Sequence, residues 1–550
     1  MRNNRKMFLF LGICLIFFAL LLRLFYIQVI DGSRLSKAAS AQRITNSIIQ
    51  IPRGRIIDKN GISFTNRKKK VLIIIKPLYL NGNEEDIKKI CGILGEDFNT
   101  TRRLIEIKKE PIVIQADEEK KKKILDEKIN GVSAINYLER YDEESLAKHI
   151  LGYLNSIDKT GQSGLEKFYE SALKFDCKNT VGVITDARNN LLEGLGYRIM
   201  ADPYKGKKLN LKLTLDYHIQ KIVEEVMEKN SVKGAVVVED VYTGDIVAIA
   251  SKPDYDQNSV GEYLNSPGKE LFNKATAAYN MGSIFKIIDT AKALETELYL
   301  NPHYFCPGFI RIGNKTFKCH KQGGHGWVDL KRAFALSCNT YFIDLGIRAG
   351  HSGIIDMAKK FGLGEITGVK EQGVSEATGR LPETDTSFTR GDTANISIGQ
   401  GEVMVTPLQV VDLIATVANG GIKNRINIVD SVIDDDGNKV REVRNTRGTR
   451  IISKETSDAI KEMMIEVVLS GTGSKANMED YGGAGGKTGS AETGQLLDGE
   501  KVIQAWFAGF FPKVNPKYSI AVFVENGRMG NEAAAPIFRE IAVEIVKKGY

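Results

Sequence analysis

The chain has 550 residues, of which 42% are hydrophobic and 26% are charged, a composition typical of globular proteins. This length predicts about two to four domains, and the composition excludes global disorder, a collagen-like fibre and a multi-span transporter. The net charge of +8 is spread over the whole chain and gives little support for nucleic-acid binding. Six cysteines are too few for a disulfide-stapled scaffold, but three of them and three of the six histidines fall between residues 303 and 338.

The first predicted element is a transmembrane helix over residues 7–30. Residues 7–22 are uncharged, and Arg23 can extend its side chain to the bilayer interface. Cations at positions 2, 5 and 6 precede the helix, so the positive-inside rule places residues 1–6 in the cytoplasm and the rest of the chain outside. A signal peptide cleaved near residues 39–41 is less favoured, because signal sequences have an apolar core of only about 7–15 residues.

Residues 31–205 are mixed and charge-rich, and they predict a spacer or pedestal that offers no catalytic cluster. Short apolar runs at residues 71–75 and 112–114 are typical of strands. The lysine runs at 68–70 and 120–123 are interpreted as solvated surface rather than as phosphate or lipid sites.

Residues 206–550 predict a single α/β domain of about 340 residues. The predicted strands are residues 211–215, 234–239, 246–250, 505–510 and 518–524, and the predicted helices are residues 219–227 and 533–548. Asp216 is expected to cap the first of these helices. The sequence Thr243-Gly244-Asp245 is expected to form the turn of a β-hairpin.

A serine three residues before a lysine on a helix places both side chains on one face, where a neutral lysine can remove the serine's proton. The pattern is weak by itself, because it occurs at residues 145/148, 156/159, 171/174, 266/269 and 283/286. Penicillin-recognising serine acyltransferases carry Ser-x-x-Lys, Ser-x-Asn and Lys-Thr-Gly in that order. Ser-x-Asn occurs once, at 337–339, and of two Lys-Thr-Gly sequences only the one at 487–489 follows it.

Among the five serines, only Ser283 has suitable surroundings. Gly282 precedes it and allows close approach of the backbone at the turn. An apolar sequence typical of a helix follows, and the N-terminus of that helix would stabilise a developing oxyanion.

These motifs resemble those of the class B penicillin-binding proteins, which are monofunctional peptidoglycan transpeptidases. The resemblance covers nearly the whole chain and includes the blocks at residues 23–28, 53–61, 164–166, 399–401, 406–409, 418–421, 486–492 and 506–512. It implies a membrane anchor, an α+β pedestal or dimerisation domain, and a transpeptidase domain with a central antiparallel sheet flanked by helices. The sequence departs from the family at Asn280-Met281-Gly282, where Glu-Pro-Gly is usual, but this change removes no reacting group.

The resemblance also implies a role for each catalytic residue. Ser283 would attack the D-Ala-D-Ala carbonyl of a stem peptide, with Lys286 as general base. Ser337 would relay a proton to the leaving amine, and Asn339 would bind the substrate amide and orient Lys286. Lys487 would hold the terminal carboxylate.

The residues implied to bind substrate are Thr488, Gly489 and Ser490. The backbone N–H groups of Ser283 and Ser490 would form the oxyanion hole. D-Ala would leave, and an amine of a neighbouring stem peptide would complete the cross-link. β-Lactams would acylate the same serine, and no cofactor is required for the acyl transfer.

Four residues between the first two motifs form a candidate zinc site: Cys306, Cys319, His320 and His325. His303 is a spare ligand, and Cys338 is assigned to packing. Two alternatives stay open. One is a disulfide between Cys306 and Cys319, which an extracellular location would permit, and the other is reduced cysteines with neither metal nor disulfide.

The expected partners are peptidoglycan stem peptides, β-lactam antibiotics, the membrane and a multi-span glycan polymerase, without nucleic acid. The resemblance implies a role in elongation, division or spore cortex synthesis. A β-lactamase is less favoured, because no deacylation base can be assigned. A β-lactam receptor is less favoured because only about six residues precede the span. A role mainly as a scaffold for the polymerase is the remaining alternative.

Overall fold

The computed structural model describes residues 2–32, 44–50, 53–108, 111–156, 158–175, 179–184, 197–201, 208–298, 300–383, 388–497, 500–527 and 529–550. The expected cleavage site at 39–41 and the predicted domain boundary at 205/206 lie outside these residues. The chain divides into two compact units. Unit 1 comprises Met1–Arg53, Lys68–Glu139 and Phe175–Gly206, and unit 2 comprises Gly54–Arg67, Arg140–Lys174 and Lys207–Tyr550.

The N-terminal segment is an α-helix over Arg2–Phe25 that continues as a π-helix over Tyr26–Ile30. The stretch Phe10–Ile30 has a mean hydropathy of 2.5, and none of it is buried inside the protein. An exposed apolar helix of 21 residues is long enough to cross the hydrocarbon core of a bilayer. It therefore has the properties of the predicted single-pass anchor.

The rest of unit 1 is an α+β structure. The strand Lys69–Ile75 lies between Ile112–Ala116 and Val132–Leu138 in an antiparallel sheet, which confirms the two predicted strands. Val71, Ile73 and Ile75 lie two residues apart and therefore face one core. The helices that complete this part are Pro77–Leu80, Glu84–Leu94, Phe98–Ile107 and Glu118–Asp126. A second antiparallel sheet contains Ile44–Gln50, Asn179–Ile184 and Tyr197–Ala201.

The centre of unit 2 is a five-stranded antiparallel sheet, called here the central sheet. Its strands in spatial order are Ile246–Lys252, Gly234–Asp240, Tyr518–Gly527, Glu500–Phe511 and Gly485–Leu497. The predicted hairpin and the two predicted late strands are all present. Strands from the early and late parts of the segment Lys207–Tyr550 meet where Gly234–Asp240 pairs with Tyr518–Gly527.

Both faces of the central sheet are buried. Ala235 and Val237 face one hydrophobic core, and Val236 and Val238 face the other. This explains why the sequence shows continuous apolar runs rather than alternation. The second face is covered by the helices Tyr217–Lys229 and Gly530–Lys547, and Asp216 caps the first of them as predicted.

The remaining helices of unit 2 are Lys148–Leu151, Gly164–Phe168, Glu170–Leu173, Lys286–Glu295, Leu330–Ala335, Asn339–Ala349, His351–Lys360, Arg390–Ile396, Pro407–Ala418 and Lys454–Leu469. Three two-stranded sheets pair Tyr304–Cys306 with Gly326–Val328, Phe309–Ile312 with Lys315–Lys318, and Ile422–Asn424 with Gly448–Arg450. A four-stranded sheet has the order Lys439–Glu442, Val429–Asp434, Leu209–Leu213 and Ile56–Ile57.

Unit 2 also contains two segments, residues 54–67 and 140–174, that fall within the pedestal predicted from the sequence. The short strand Ile56–Ile57 pairs in parallel with Leu209–Leu213. Arg140 forms an ion pair of 2.6 Å with the buried Glu166 and also donates to the backbone oxygen of Gly54 at 2.6 Å. These contacts hold the segments 54–67 and 140–174 within the same unit as the central sheet.

Candidate active site

Ser283 lies in a 3-10 turn, Gly282–Phe285, that leads into the helix Lys286–Glu295. Gly282 has a φ of +55°, and a Cβ at this position would lie 2.7 Å from the backbone oxygen of Ser490. Glycine is therefore required by both the backbone conformation and the close contact. The turn places Ser283 against the edge strand of the central sheet.

Lys286 is fully buried beneath Ser283. Its Nζ lies 3.0 Å from Ser283 Oγ, 3.2 Å from Ser337 Oγ, and 2.8 Å from both Asn339 Oδ1 and the backbone oxygen of Ser337. Burial lowers the pKa of Lys286 to about 8. The amine is thus within reach of the serine proton and is much easier to deprotonate than an exposed lysine.

Ser337 joins the two buried lysines of the site. Its backbone has a φ of +54°, which is strained for a residue other than glycine. Lys487 Nζ donates to Ser337 Oγ at 3.0 Å. Burial holds the pKa of Lys487 well below its ordinary value, and the neighbouring Lys286 lowers it further. The Ser337 hydroxyl is therefore in contact with two amines whose protonation depends on each other.

The Lys-Thr-Gly motif, residues 487–489, lies near the start of the edge strand Gly485–Leu497. The hydroxyls of Thr488 and Thr472 lie 2.8 Å apart. A Cβ on Gly489 would lie 2.5 Å from the backbone oxygen of Met281, so only glycine allows this strand to lie so close to the nucleophile turn. Ser490 Oγ accepts from the backbone N–H of Gly530 at 3.1 Å.

An open cavity of about 330 Å³ lies over these groups. Its lining residues are Ser283, His320, Ser337, Asn339, Thr472, Thr488, Ser490, Met529, Gly530, Asn531 and Glu532. The structure thus brings together all the predicted catalytic and substrate-binding positions, with Lys286 and Lys487 buried below. Thr472 and residues 529–532 were not predicted from the sequence as cavity residues. The sequence gives little indication of them beyond the glycine on each side of Thr472.

The cysteine–histidine cluster contains Cys306, Cys319, His325 and Cys338, whose ligand atoms all lie within 4.8 Å of one another. His325 Nδ1 lies 3.4 Å from Cys319 Sγ and 3.7 Å from Cys306 Sγ. The cluster differs in one residue from the predicted zinc ligands. Cys338 belongs to the cluster, whereas His320 lies beside it, with its ring centroid 5.0 Å from that of His325, and lines the cavity.

The cysteines of the cluster lie at or near two of the small two-stranded sheets, Tyr304–Cys306 with Gly326–Val328 and Phe309–Ile312 with Lys315–Lys318. Cys306 ends one strand, Cys319 follows another, and Cys338 lies between Ser337 and Asn339. All three cysteines are buried and are free thiols. The neighbouring Cys338 thiol lowers the pKa of Cys319, and contact with Cys319 raises the pKa of Cys338 in turn. Of the two alternatives to zinc, a disulfide between Cys306 and Cys319 is not formed in this structure, where both are free thiols.

Such a site, on one edge of an antiparallel sheet between two helical layers, defines the class of the protein. A serine and a lysine one helical turn apart, a Ser-x-Asn loop and a Lys-Thr-Gly edge strand form the catalytic apparatus of the penicillin-recognising serine acyltransferases. The comparisons with known proteins agree. Residues 234–542 match the family described as Penicillin binding protein transpeptidase domain, and residues 48–211 match Penicillin-binding Protein dimerisation domain.

The chain belongs to the class B penicillin-binding proteins and is a peptidoglycan D,D-transpeptidase. It is 30% identical to Stage V sporulation protein D of Bacillus subtilis, covering 98% of this chain and 85% of that protein. It is also 30% identical to the peptidoglycan D,D-transpeptidase MrdA of Acinetobacter baumannii, covering 96% of this chain and 85% of that one. As in the family, it acts on peptidoglycan, binds β-lactams and serves division, elongation or sporulation.

Solved structures show the same fold. The structure titled "Structural coordination of polymerization and crosslinking by a peptidoglycan synthase complex" matches with a TM-score of 0.73 and 25% identity, covering 98% of both chains. Penicillin binding protein 3 from Mycobacterium tuberculosis, complexed with aztreonam, matches with a TM-score of 0.63 and 23% identity.

Proposed function

We propose that Ser283 is the residue acylated by the stem peptide and by β-lactams. The observation that carries the proposal is the contact of its Oγ, at 3.0 Å, with the buried amine of Lys286. In its neutral form this amine accepts the serine proton as Oγ attacks the carbonyl carbon. The N–H groups of Ser283 and Ser490 would stabilise the oxyanion, and such a donor contributes about 3–4 kcal/mol.

Ser337 and Lys487 then serve the leaving group and the substrate carboxylate. The Ser337 hydroxyl contacts both amines, so it can pass a proton from Lys286 to the nitrogen of departing D-Ala. A carboxylate held by Lys487 and Thr488 would supply the negative charge that favours the ammonium form of Lys487. Asn339 Oδ1 fixes the position of Lys286. An acceptor amine reverses these steps and forms the cross-link.

The test is acylation of the detergent-solubilised full chain by a fluorescent penicillin, followed by mass spectrometry of the labelled peptide. We expect one adduct, on Ser283, and none in Ser283→Ala. Ser266→Ala is the matched control, because Ser266 also begins a Ser-x-x-Lys sequence. Labelling that survives in Ser283→Ala would contradict the proposal. Turnover of many penicillins per second would indicate a β-lactamase instead.

We also propose that the cysteine–histidine cluster binds zinc. With Zn–S near 2.3 Å and Zn–N near 2.0 Å, tetrahedral ligands lie about 3.5–3.8 Å apart, and the two sulfur–nitrogen distances are 3.4 and 3.7 Å. Cys306, Cys319, His325 and Cys338 would hold the ion. Because Cys338 lies between Ser337 and Asn339, the ion would fix the catalytic loop and take no part in the acyl transfer.

Metal analysis of the full chain, purified without chelator, tests the zinc proposal. We expect about one zinc per chain, lost in Cys306→Ser, and a lower thermal stability after chelation. Cys91→Ser is the matched control, because Cys91 is also a buried cysteine but lies outside the cluster. Less than about a tenth of an equivalent of zinc would contradict the proposal.

The orientation and the partner are further parts of the proposed function. The cations before the apolar helix support a cytoplasmic N-terminus and an extracellular catalytic unit. The similarity to a structure of a peptidoglycan synthase complex supports a multi-span glycan polymerase as partner. Accessibility of Ser283 to an impermeant β-lactam on intact cells tests the orientation, and co-purification of a polymerase from membranes tests the partner.

A further inference from the structure

Two small two-stranded sheets between the nucleophile helix and the catalytic loop present exposed aromatic rings. This segment, residues 301–332, is called here the aromatic lobe. Phe305, Phe309 and Trp327 are 51%, 53% and 70% exposed. Phe305 and Trp327 lie opposite each other in adjacent strands, with ring centroids 5.2 Å apart. Rings grouped on the surface in this way are typical of an interaction site.

The aromatic lobe is also strongly cationic. It contains six basic residues, Arg311, Lys315, Lys318, Lys321, Lys331 and Arg332, and a single acidic one, Asp329. Its charge of 6 − 1 = +5 compares with +8 for the whole chain. All six basic residues are exposed, and among the described residues none of their side chains forms an ion pair. A surface of this kind attracts an anionic partner.

The lobe is directly connected to the catalytic cavity. The side-chain amide of Asn339 donates to the backbone oxygen of Lys318 at 3.2 Å. His320, in the same segment, lines the cavity together with Ser283. A partner bound on the lobe would therefore lie next to a stem peptide that reacts at Ser283.

We propose that the aromatic lobe binds the peptidoglycan strand that carries the reacting stem peptide. The C–H faces of its sugar rings would stack on the electron-rich faces of Phe305 and Trp327. The carboxylates of its peptides would pair with the lysines and arginines. This strand is favoured over an anionic membrane because it is covalently joined to the group in the cavity. The inference rests on the proposed function, since it assumes that the stem peptide reacts at Ser283.

Trp327 provides a direct probe. The chain has only two tryptophans, and the other, Trp506, is fully buried. The full chain is placed in phosphatidylcholine nanodiscs and titrated with soluble, uncross-linked peptidoglycan strands. We expect a saturable blue shift of Trp327 emission. Stripping the peptides from the strands should weaken binding without abolishing it, because the stacking contacts remain.

Binding should weaken about tenfold or more in Phe305→Ala and in the double variant Lys315→Gln/Lys321→Gln, as expected for loss of a central contact. Tyr242→Ala is the matched control, since Tyr242 is 55% exposed and lies outside the lobe. Acylation by penicillin should be unchanged in all of these variants, because the antibiotic carries no glycan.

Three outcomes would overturn the inference. The first is no saturable change in emission, and the second is equal affinity in wild type and lobe variants. The third is a blue shift that appears in phosphatidylglycerol nanodiscs without any strand and disappears in the lobe variants, which would identify the lobe as a membrane contact. Failure of the proposed function is distinct, because it would appear as loss of penicillin acylation at Ser283.

Discussion

Two lysines of unit 2, the fully buried Lys286 and the partly buried Lys423, have pKa values lowered to about the same value, yet their surroundings differ. Burial lowers the pKa of both Lys286 and Lys423 to about 8. Lys423 forms an ion pair with Asp412, and Glu239 also interacts with it. Among the described residues, the hydrogen bonds of Lys286 go only to hydroxyl, amide and carbonyl oxygens.

Burial alone therefore does not separate the proposed general base from a structural lysine. An adjacent carboxylate gives Lys423 a structural role, because the ammonium form is the one that binds it. The partners of Lys286 accept hydrogen bonds from either protonation state, so the amine can lose and regain a proton without breaking the site. The predictions below test this distinction.

The largest expected effect is that of Lys286→Met on acylation. Methionine has a similar length but cannot accept a proton, and loss of a general base lowers rates by roughly 10²–10⁴-fold. The second-order rate of penicillin acylation should therefore fall by about that factor, whereas Lys423→Met should leave it within about threefold. Equal losses in the two variants would contradict the comparison.

Lys423→Met is expected to destabilise the protein, although it leaves the acylation rate nearly unchanged. Removing one partner of a fully buried ion pair costs about 3–5 kcal/mol. The Lys423 side chain keeps 24% of its exposure, so we expect a smaller loss of about 2–3 kcal/mol in the free energy of unfolding. Denaturant unfolding of the full chain measures it. The companion variant Asp412→Asn should also be destabilised. If the ion pair contributed no stability, both variants would unfold at the same denaturant concentration as the wild type.

The residues that lie together in the candidate site could be predicted from sequence, because three short motifs in a fixed order select one serine from five. Four of the five strands of the central sheet could be predicted, because burial on both faces requires continuous apolar runs such as Gly234–Asp240. The edge strand Gly485–Leu497 has no such run and was not predicted. Both signals are local in sequence. In the lysine run at 120–123, Lys121 and Lys123 pair with glutamates of the helix Glu118–Asp126.

Other features depend on contacts between distant segments. Cys338 was assigned to packing because it lies inside a catalytic motif, and only the folded loop shows its sulfur beside Cys319. The strand Ile56–Ile57 has two residues and therefore no periodicity, so its pairing with Leu209–Leu213 could not be predicted. Thr472 enters the cavity through its contact with Thr488, sixteen residues away.

A smaller effect is expected from pH. Below about pH 8 Lys286 is mostly an ammonium group and cannot accept the serine proton, whereas above it the amine is mostly neutral. Acylation should therefore accelerate about tenfold for each pH unit below the pKa and level off above it. Stopped-flow measurements between pH 6 and 9.5 test this. A rate independent of pH over this range would show that Lys286 is already neutral at pH 6.

The smallest effect is expected for Asp289→Asn, which tests whether Lys286 truly lacks a carboxylate partner. Asp289 lies one helical turn after Lys286, is fully buried, and neither of its carboxyl oxygens has a hydrogen-bond partner among the described residues. Burial holds the pKa of Asp289 well above its ordinary value, which favours the neutral form of the side chain. Replacing one neutral group by another of the same shape should change the acylation rate by less than about twofold and leave the pH midpoint in place.

An ionised Asp289 would raise the pKa of Lys286, so its removal would move the midpoint to lower pH. Such a shift would show that Lys286, like Lys423, has a carboxylate partner. The two lysines would then differ only in the contact of Lys286 with Ser283.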